Sequence, residues 1–230
     1  MEAGAASLAA AAAARAGART RAVLAAGTGA LGLALPPGAE ERLLSFLAEL
    51  RRWNRAYNLV ADAPDAAWAA SHLLDSLSIA APLRDLVPGG GDRDAPAARV
   101  LDLGTGAGLP GIPLAIALPE LRFVLLDGNG KKVRFCRHAV AALGLANVEV
   151  AEGRAEGFAP CAPFDAAVVR AVGSLARIRA LVRPCCRGPV LAMKGRHPAR
   201  ELAELDGAPF EVAPLRVPGL DAERHLVILR

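Results

Sequence analysis

Apolar residues follow one rhythm in the first part of this chain and another after about residue 96. From Pro36-Pro37 onward Leu43, Leu44, Phe46, Leu47 and Leu50 recur at helical spacing, with Glu40, Glu41, Arg42, Glu49, Arg51 and Arg52 on the other faces. That spacing predicts one amphipathic helix leading into Trp53 and Tyr57. A second helix is expected from about residue 65 through Trp68, His72, Leu73, Leu74, Leu77 and Ile79, before the breaker Pro88-Gly89-Gly90-Gly91-Asp92. Beyond the breaker, short apolar runs alternate with helical segments. Strands are predicted near 99–103, 122–127, 148–151, 165–170, 189–193, 211–217 and 225–229, and helices near 112–118, 131–143, 175–185 and 199–205. Such alternation is the pattern of an α/β fold whose mostly parallel sheet is covered on both faces. The last two strands have no helix between them, so a closing antiparallel hairpin is expected.

The chain therefore divides into a mobile Ala/Arg-rich extension (1–21), which lacks the large apolar residues a core needs, a helical annex (22–96) and an α/β domain (97–230). At 53% hydrophobic and 22% charged, the 230 residues suit one soluble domain with a small annex, not a disordered tail. Arg15, Arg19 and Arg21 before the apolar run 23–35 imitate a secretory leader, but three glycines interrupt the run and no small-residue cleavage site follows. No segment approaches the roughly 20 apolar residues of a membrane span. A cytoplasmic location is expected.

The formal charge is +4 and the pI about 9.2, which favours a polyanionic partner. The excess lies late: residues 1–96 hold 9 Arg against 10 acidic residues, the remainder 18 basic against 13 acidic. Cys136, Cys161, Cys185 and Cys186 lack CxxC spacing, and an adjacent pair makes a strained bridge, so neither zinc nor a disulfide framework is expected.

The chemistry concentrates between Val100 and Pro113, where an apolar strand runs into Gly104-Thr105-Gly106-Ala107-Gly108-Leu109 and then a helix start. Glycines there let a backbone approach a ligand, and proline suits a first helical turn. A dinucleotide fingerprint requires glycine at position 109, which is Leu109; the spacing is GxGxG, as in S-adenosylmethionine sites. The next strand ends in Asp127, a carboxylate placed to accept both ribose hydroxyl protons. The same residue would also cap the turn before Gly128-Asn129-Gly130; the glycine loop one strand earlier favours the cofactor role. After the third strand, backbone groups around Ala155 and Glu156 are placed to meet an adenine edge.

These segments resemble a known family. GTGAGLPGIPLAIALPE from Gly104, LLDGNGKKVRFCR from Leu125, EGRAEGF from Glu152, FDAAVVRAVGSL from Phe164, LAMKG from Leu191 and ERHLVIL from Glu223 look like successive motifs of the RsmG methyltransferases, also called the glucose-inhibited division protein B family. RRWNRAYNLV from Arg51 and SHLLDSLSIA from Ser71 look like that family's N-terminal helical motifs, and the likeness spans about residues 24–230. It implies a class I methyltransferase fold with a seven-stranded sheet, S-adenosylmethionine as donor, and methylation of N7 of the guanine at position 527 of 16S rRNA. By motif matching it implies that Gly104 and Leu109 line the cofactor loop, that Ala155 and Glu156 hold the adenine side, and that Arg170 touches cofactor or target. Arg154, Lys194 and Arg224 match further basic positions facing the cleft. Ala107 stands where Pro is usual and Val60 where Thr is usual; neither removes a group with an obvious chemical role.

Guanine N7 has a lone pair and no proton, so the reaction needs alignment and not a general base. Arg154, Arg170, Lys194 and Arg224 are accordingly assigned to positioning RNA. Lys131, Lys132, Arg134 and Arg137 on one helix suit a solvated face or an RNA contact about equally, whereas Arg177, Arg179, Arg183 and Arg187 read as surface charge. Trp53 and Tyr57, four apart, read as core packing before base stacking. His72 reads as a polar contact between annex and core, and no histidine has ligand spacing. The expected partner is 16S rRNA or the small ribosomal subunit, bound by a monomer without a metal. The rival readings are a methyltransferase for another RNA or a small molecule, and a ribosome-assembly factor without turnover.

Overall fold

A computed structural model describes residues 2–61, 65–87 and 97–230. The annex comprises α1 (Glu2–Ala30), α2 (Ala39–Tyr57), α3 (Asp65–Trp68), a π-helical turn (Ala69–Leu74), α4 (Asp75–Leu77) and α5 (Ala80–Leu86). The sheet domain follows as β1 (Arg99–Leu103), α6 (Gly111–Ala117), β2 (Arg122–Asp127), α7 (Gly130–Ala142), β3 (Val148–Glu152), a 3-10 turn (Ala155–Gly157) and β4 (Ala166–Arg170). It closes with α8 (Leu175–Val182), β5 (Val190–Lys194), α9 (Ala199–Ala203), β6 (Phe210–Pro214) and β7 (His225–Leu229).

All seven predicted strands form, in the order β3-β2-β1-β4-β5-β7-β6. Strands β1 to β5 pair in parallel, and β7 runs antiparallel to both β5 and β6. The strand order reverses after β3, with β4 added on the other side of β1, which leaves the C-terminal ends of β1 and β4 facing one crevice, the place where open α/β sheets take ligands.

Side chains alternate across the strands. Val100, Phe123, Leu125, Ala166 and Val168 face one way and pack with Leu24, Phe46, Leu50, Leu73 and Leu77 of the annex; Leu101, Leu103, Val124, Leu126 and Val169 face the other and pack with Leu175, Ile178 and Val182. One apolar layer thus runs from the annex into the sheet.

Two expectations differ from what forms. The helix α1 passes through residue 21 without a break, and Thr20 is already buried, bonding the Ala16 carbonyl at 2.9 Å. Alanine carries the highest helix propensity, so a segment too poor in large residues to make a core still makes a helix. The second annex helix is not one regular element. Its middle widens into a π turn, in which the Asp75 N–H reaches the Ala70 carbonyl, and the chain resumes as α5 ahead of the breaker. The breaker at 88–92 lies outside the described residues. Among those described, no helix is long and apolar enough to cross a membrane.

Candidate functional site

The glycine loop hangs from the end of β2. Leu126 O accepts both Gly104 N–H (2.8 Å) and Thr105 N–H (3.1 Å), and Gly104 sits at φ +68°, where an added Cβ would lie 2.5 Å from Val172 Cγ2. Glycine is required there on both counts. Asp127 turns out to do two things. Its Oδ1 accepts Asn129 N–H, which is the turn cap, and its Oδ2 accepts Gly106 N–H, both at 2.8 Å, which ties β2 to the loop. Each oxygen keeps a further acceptor site, so capping and ribose binding are compatible. Asn129 then caps α7, accepting from Lys131 N–H at 3.0 Å.

A cavity of about 650 Å³ opens between these elements, bordered by Leu103, Gly104, Asp127, Arg154, Ala155 and Glu156 among others. That volume suits a nucleoside-sized ligand, within the roughly 300–1,000 Å³ usual for such pockets. Its walls combine apolar Leu103, Leu126, Val172 and Leu181 with the carboxylates of Asp127 and Glu156. These walls fit an adenosyl group: apolar faces for a base, and the Asp127 carboxylate to accept from ribose hydroxyls. Thr105, Gly106, Gly108 and Leu109 shape the loop without bordering the cavity, and Leu109 is buried.

The predicted basic residues separate. Arg154 borders the cavity; Arg170, Lys194 and Arg224 do not. Lys194 Nζ donates to Glu201 Oε2 (2.7 Å) and Gly173 O (2.9 Å), while the same Glu201 oxygen accepts the Leu175 N–H at 2.8 Å, so this lysine ties β5 to α8 and α9. Arg170 and Arg224 both reach Asp75 of the annex. Arg177, read from sequence as surface charge, is 65% exposed and also borders the cavity rim, where it pairs with Glu156 at 3.3 Å. Trp53 packs against Phe135 with ring centroids 5.7 Å apart, and Tyr57 remains exposed. Lys131, Arg134 and Arg137 border a separate shallow depression with Glu152.

Asp102 escaped the sequence reading. Its Oδ2 accepts the Thr105 hydroxyl (2.6 Å) and Gly111 N–H (2.8 Å), while Oδ1 is buried without a partner among the described residues. A Cβ on Gly111 would fall 2.5 Å from that Oδ2, so glycine is needed for this contact. The signal was a lone carboxylate inside an apolar strand two residues before the loop. Burial pushes the Asp102 carboxyl up to about 6, against the bonds from Thr105 and Gly111 that favour its charged form. The folded state therefore holds this proton more tightly than the unfolded chain, so its stabilising effect is full below about pH 4 and disappears as pH rises through 6. The stability of wild type relative to Asp102→Asn is expected to fall by about 3 kcal/mol between pH 4 and 7. Denaturant titrations of both proteins at several pH values check this; parallel curves would rule it out.

The chain matches the GidB family, rRNA small subunit methyltransferase G, over residues 39–227. It is 51% identical to the ribosomal RNA small subunit methyltransferase G of Methylococcus capsulatus, over 83% of this chain and 88% of that one. With the same-named protein of Chromohalobacter salexigens it shares 47% identity over 89% and 94% of the two chains. Among solved structures, the O-methyltransferase TomG of Streptomyces achromogenes in complex with SAM superposes with a TM-score of 0.53 at 20% identity, covering 80% of this chain and 88% of that chain. The human methyltransferase 10 domain containing protein does so with 0.53 at 12% identity, covering 85% and 98%. Both carry the class I methyltransferase fold seen here.

Proposed function

The chain belongs to the rRNA small subunit methyltransferase G family, and from that premise we infer that it transfers a methyl group from S-adenosylmethionine to N7 of the guanine at position 527 of 16S rRNA. One observation carries the cofactor half of the reading: Gly104 and Asp127 border the same cavity at the C-terminal ends of β1 and β2, and the Asp127 carboxylate is already oriented by the Gly106 N–H. S-adenosylmethionine supplies a methyl group on a sulfonium centre.

The residues of the chain hold and align. Asp127 accepts from the ribose, Ala155 and Glu156 flank the adenine, and Gly104 at the head of the loop brings backbone close to the ligand. Asp102, buried with one oxygen unpartnered, stiffens that loop through Thr105 and Gly111. Guanine N7 offers a lone pair without a proton, so no side chain has to remove one, and proximity accounts for the rate. Positive charge builds on the guanine ring as the bond forms. Cations are therefore best spent on phosphates and on O6, which is the role given to Arg154, Arg170 and Arg224. Lys194, bound to Glu201, serves the target by holding the edge formed by β5, α8 and α9. Among the described residues no cluster of His, Cys, Asp or Glu is arranged to hold a metal. On this reading the protein works as a monomer in the cytoplasm.

The test is to incubate the protein with labelled S-adenosylmethionine and small subunits lacking the modification, then map the product by strand cleavage at N7-methylguanine. A single signal at position 527 is expected. Cofactor binding without incorporation into subunits, free 16S rRNA or assembly intermediates would replace the reading with a non-catalytic assembly factor. RNA affinity is expected to fall as salt rises, since each neutralised phosphate releases counterions; a flat salt response would remove the RNA-contact role of the arginines.

A further inference from the structure

We propose that Asp75 is a positioning residue for the target RNA: its carboxylate joins Arg170 and Arg224 into one seat for a backbone phosphate. This rests on the RNA methyltransferase reading and adds to it a residue and a ligand group. Asp75 Oδ2 accepts from Arg170 Nη1 and Oδ1 from Arg224 Nε, both at 2.8 Å, so one annex residue grips the end of β4 and the residue before β7. The carboxylate is only 4% exposed, while the Arg170 and Arg224 side chains are 22% and 26% exposed. The acid lies at the bottom of the cluster and the guanidinium groups reach outward.

Their remaining donors are the reason to expect a ligand. Arg170 Nη1 also meets Ser71 O at 3.4 Å and Arg224 Nη1 donates to Glu223 O at 2.9 Å. That leaves Arg170 Nε and Nη2 and Arg224 Nη2 without partners among the described residues. Two guanidinium groups on one carboxylate carry a net charge of +1, and His72 in the same segment adds none at neutral pH, since burial first and Arg170 second push its ring down to about 4. A phosphodiester carries one negative charge and accepts from planar guanidinium edges, so it completes the cluster in both charge and hydrogen bonds. Neither arginine borders the adenosyl cavity, which favours the target over the cofactor.

The π turn explains how an annex residue comes to be there. Widening at Ala69–Leu74 ends on Asp75 and presents Ser71 O and the Asp75 carboxylate to the same Arg170 group. Without the carboxylate, two adjacent cations repel each other and lose their common geometry.

The experiment measures three quantities for wild type and Asp75→Asn: binding of an RNA hairpin carrying the target loop across a salt series, Kd for S-adenosylmethionine, and kcat and KM on unmodified small subunits. Asp75→Asn is expected to lower the slope of log affinity against log salt by about one. It should also lower kcat/KM about 10- to 100-fold, while S-adenosylmethionine binds within about twofold of wild type. In a background of Arg170→Gln with Arg224→Gln, adding Asp75→Asn should cost nothing more, because the acid acts only through the two arginines. An unchanged salt slope, a further additive loss, or a cofactor affinity that falls with the RNA affinity would each overturn the proposal. Should Asp75→Asn fail to fold, the two arginine variants decide: each alone must lower the slope, and together they must lower it by less than the sum. A wild type that binds RNA in a salt-dependent way yet transfers no methyl group refutes the catalytic reading alone, since the slopes still decide the seat.

Discussion

Asp127→Ala should lower the affinity for S-adenosylmethionine by about 100-fold or more. Two ribose hydroxyls bonded to a carboxylate are worth about 1.5–3 kcal/mol each, and the substitution also frees the Gly106 and Asn129 N–H groups that the carboxylate holds. The loop then loses its tie to β2 at the same moment as the cavity loses its acceptor. Asp127→Asn should fall between, because the amide still accepts one bond but presents a donor where a second acceptor is needed. Titration calorimetry with S-adenosylmethionine checks both. An affinity for Asp127→Ala within threefold of wild type would reduce the residue to a cap for the turn into α7.

The second large effect is on stability. Phe135→Ala is expected to destabilise the fold by about 4 kcal/mol, the usual range for a buried aromatic being roughly 3–5 kcal/mol. Phe135 on α7 is fully buried, its ring 6.2 Å from Phe46 and 5.7 Å from Trp53, both on α2 of the annex. Cys136 beside it donates its thiol to Gly106 O at 3.4 Å, so the same helix supports the cofactor loop. For a chain of this size the melting temperature should drop by about 8–16 °C, in one transition that takes annex and sheet domain together. Calorimetry showing two separate transitions, with only the annex shifted, would mean that the shared apolar layer does not couple them.

How much of this could be read beforehand depends on where the information sits. All seven strands were legible because each is a short apolar run between breakers, and errors were confined to ends: the segment predicted at 211–217 forms Phe210–Pro214. The loop from Gly104 and the carboxylate of Asp127 were legible because backbone needs leave a local mark, glycine at positive φ and an acid at a strand end. The π turn left no such mark, since its widening is stabilised by packing of α1 against it, where Gly27 lies so close to Leu74 that a Cβ would clash. The cavity contact of Arg177, an exposed surface charge, was not legible because surface charge and cavity rim have the same composition; the direction of α8 brings the two together.

The sequence by itself determined what repeats at short range: the α/β alternation, the seven strands with their closing hairpin, the glycine loop and the acid that follows it one strand later. It also carried the family, through motifs kept in order along the chain. Only the tertiary structure decided which distant charges meet. Asp75 pairs with Arg170 and Arg224 across 95 and 149 positions, and Lys194 turns to Glu201 and to the Gly173 carbonyl. The physical reason is burial. An ionised group removed from water must find its counter-charge in whatever element the fold brings beside it, and that choice follows the packing of helices on the sheet and not the order of residues in the chain.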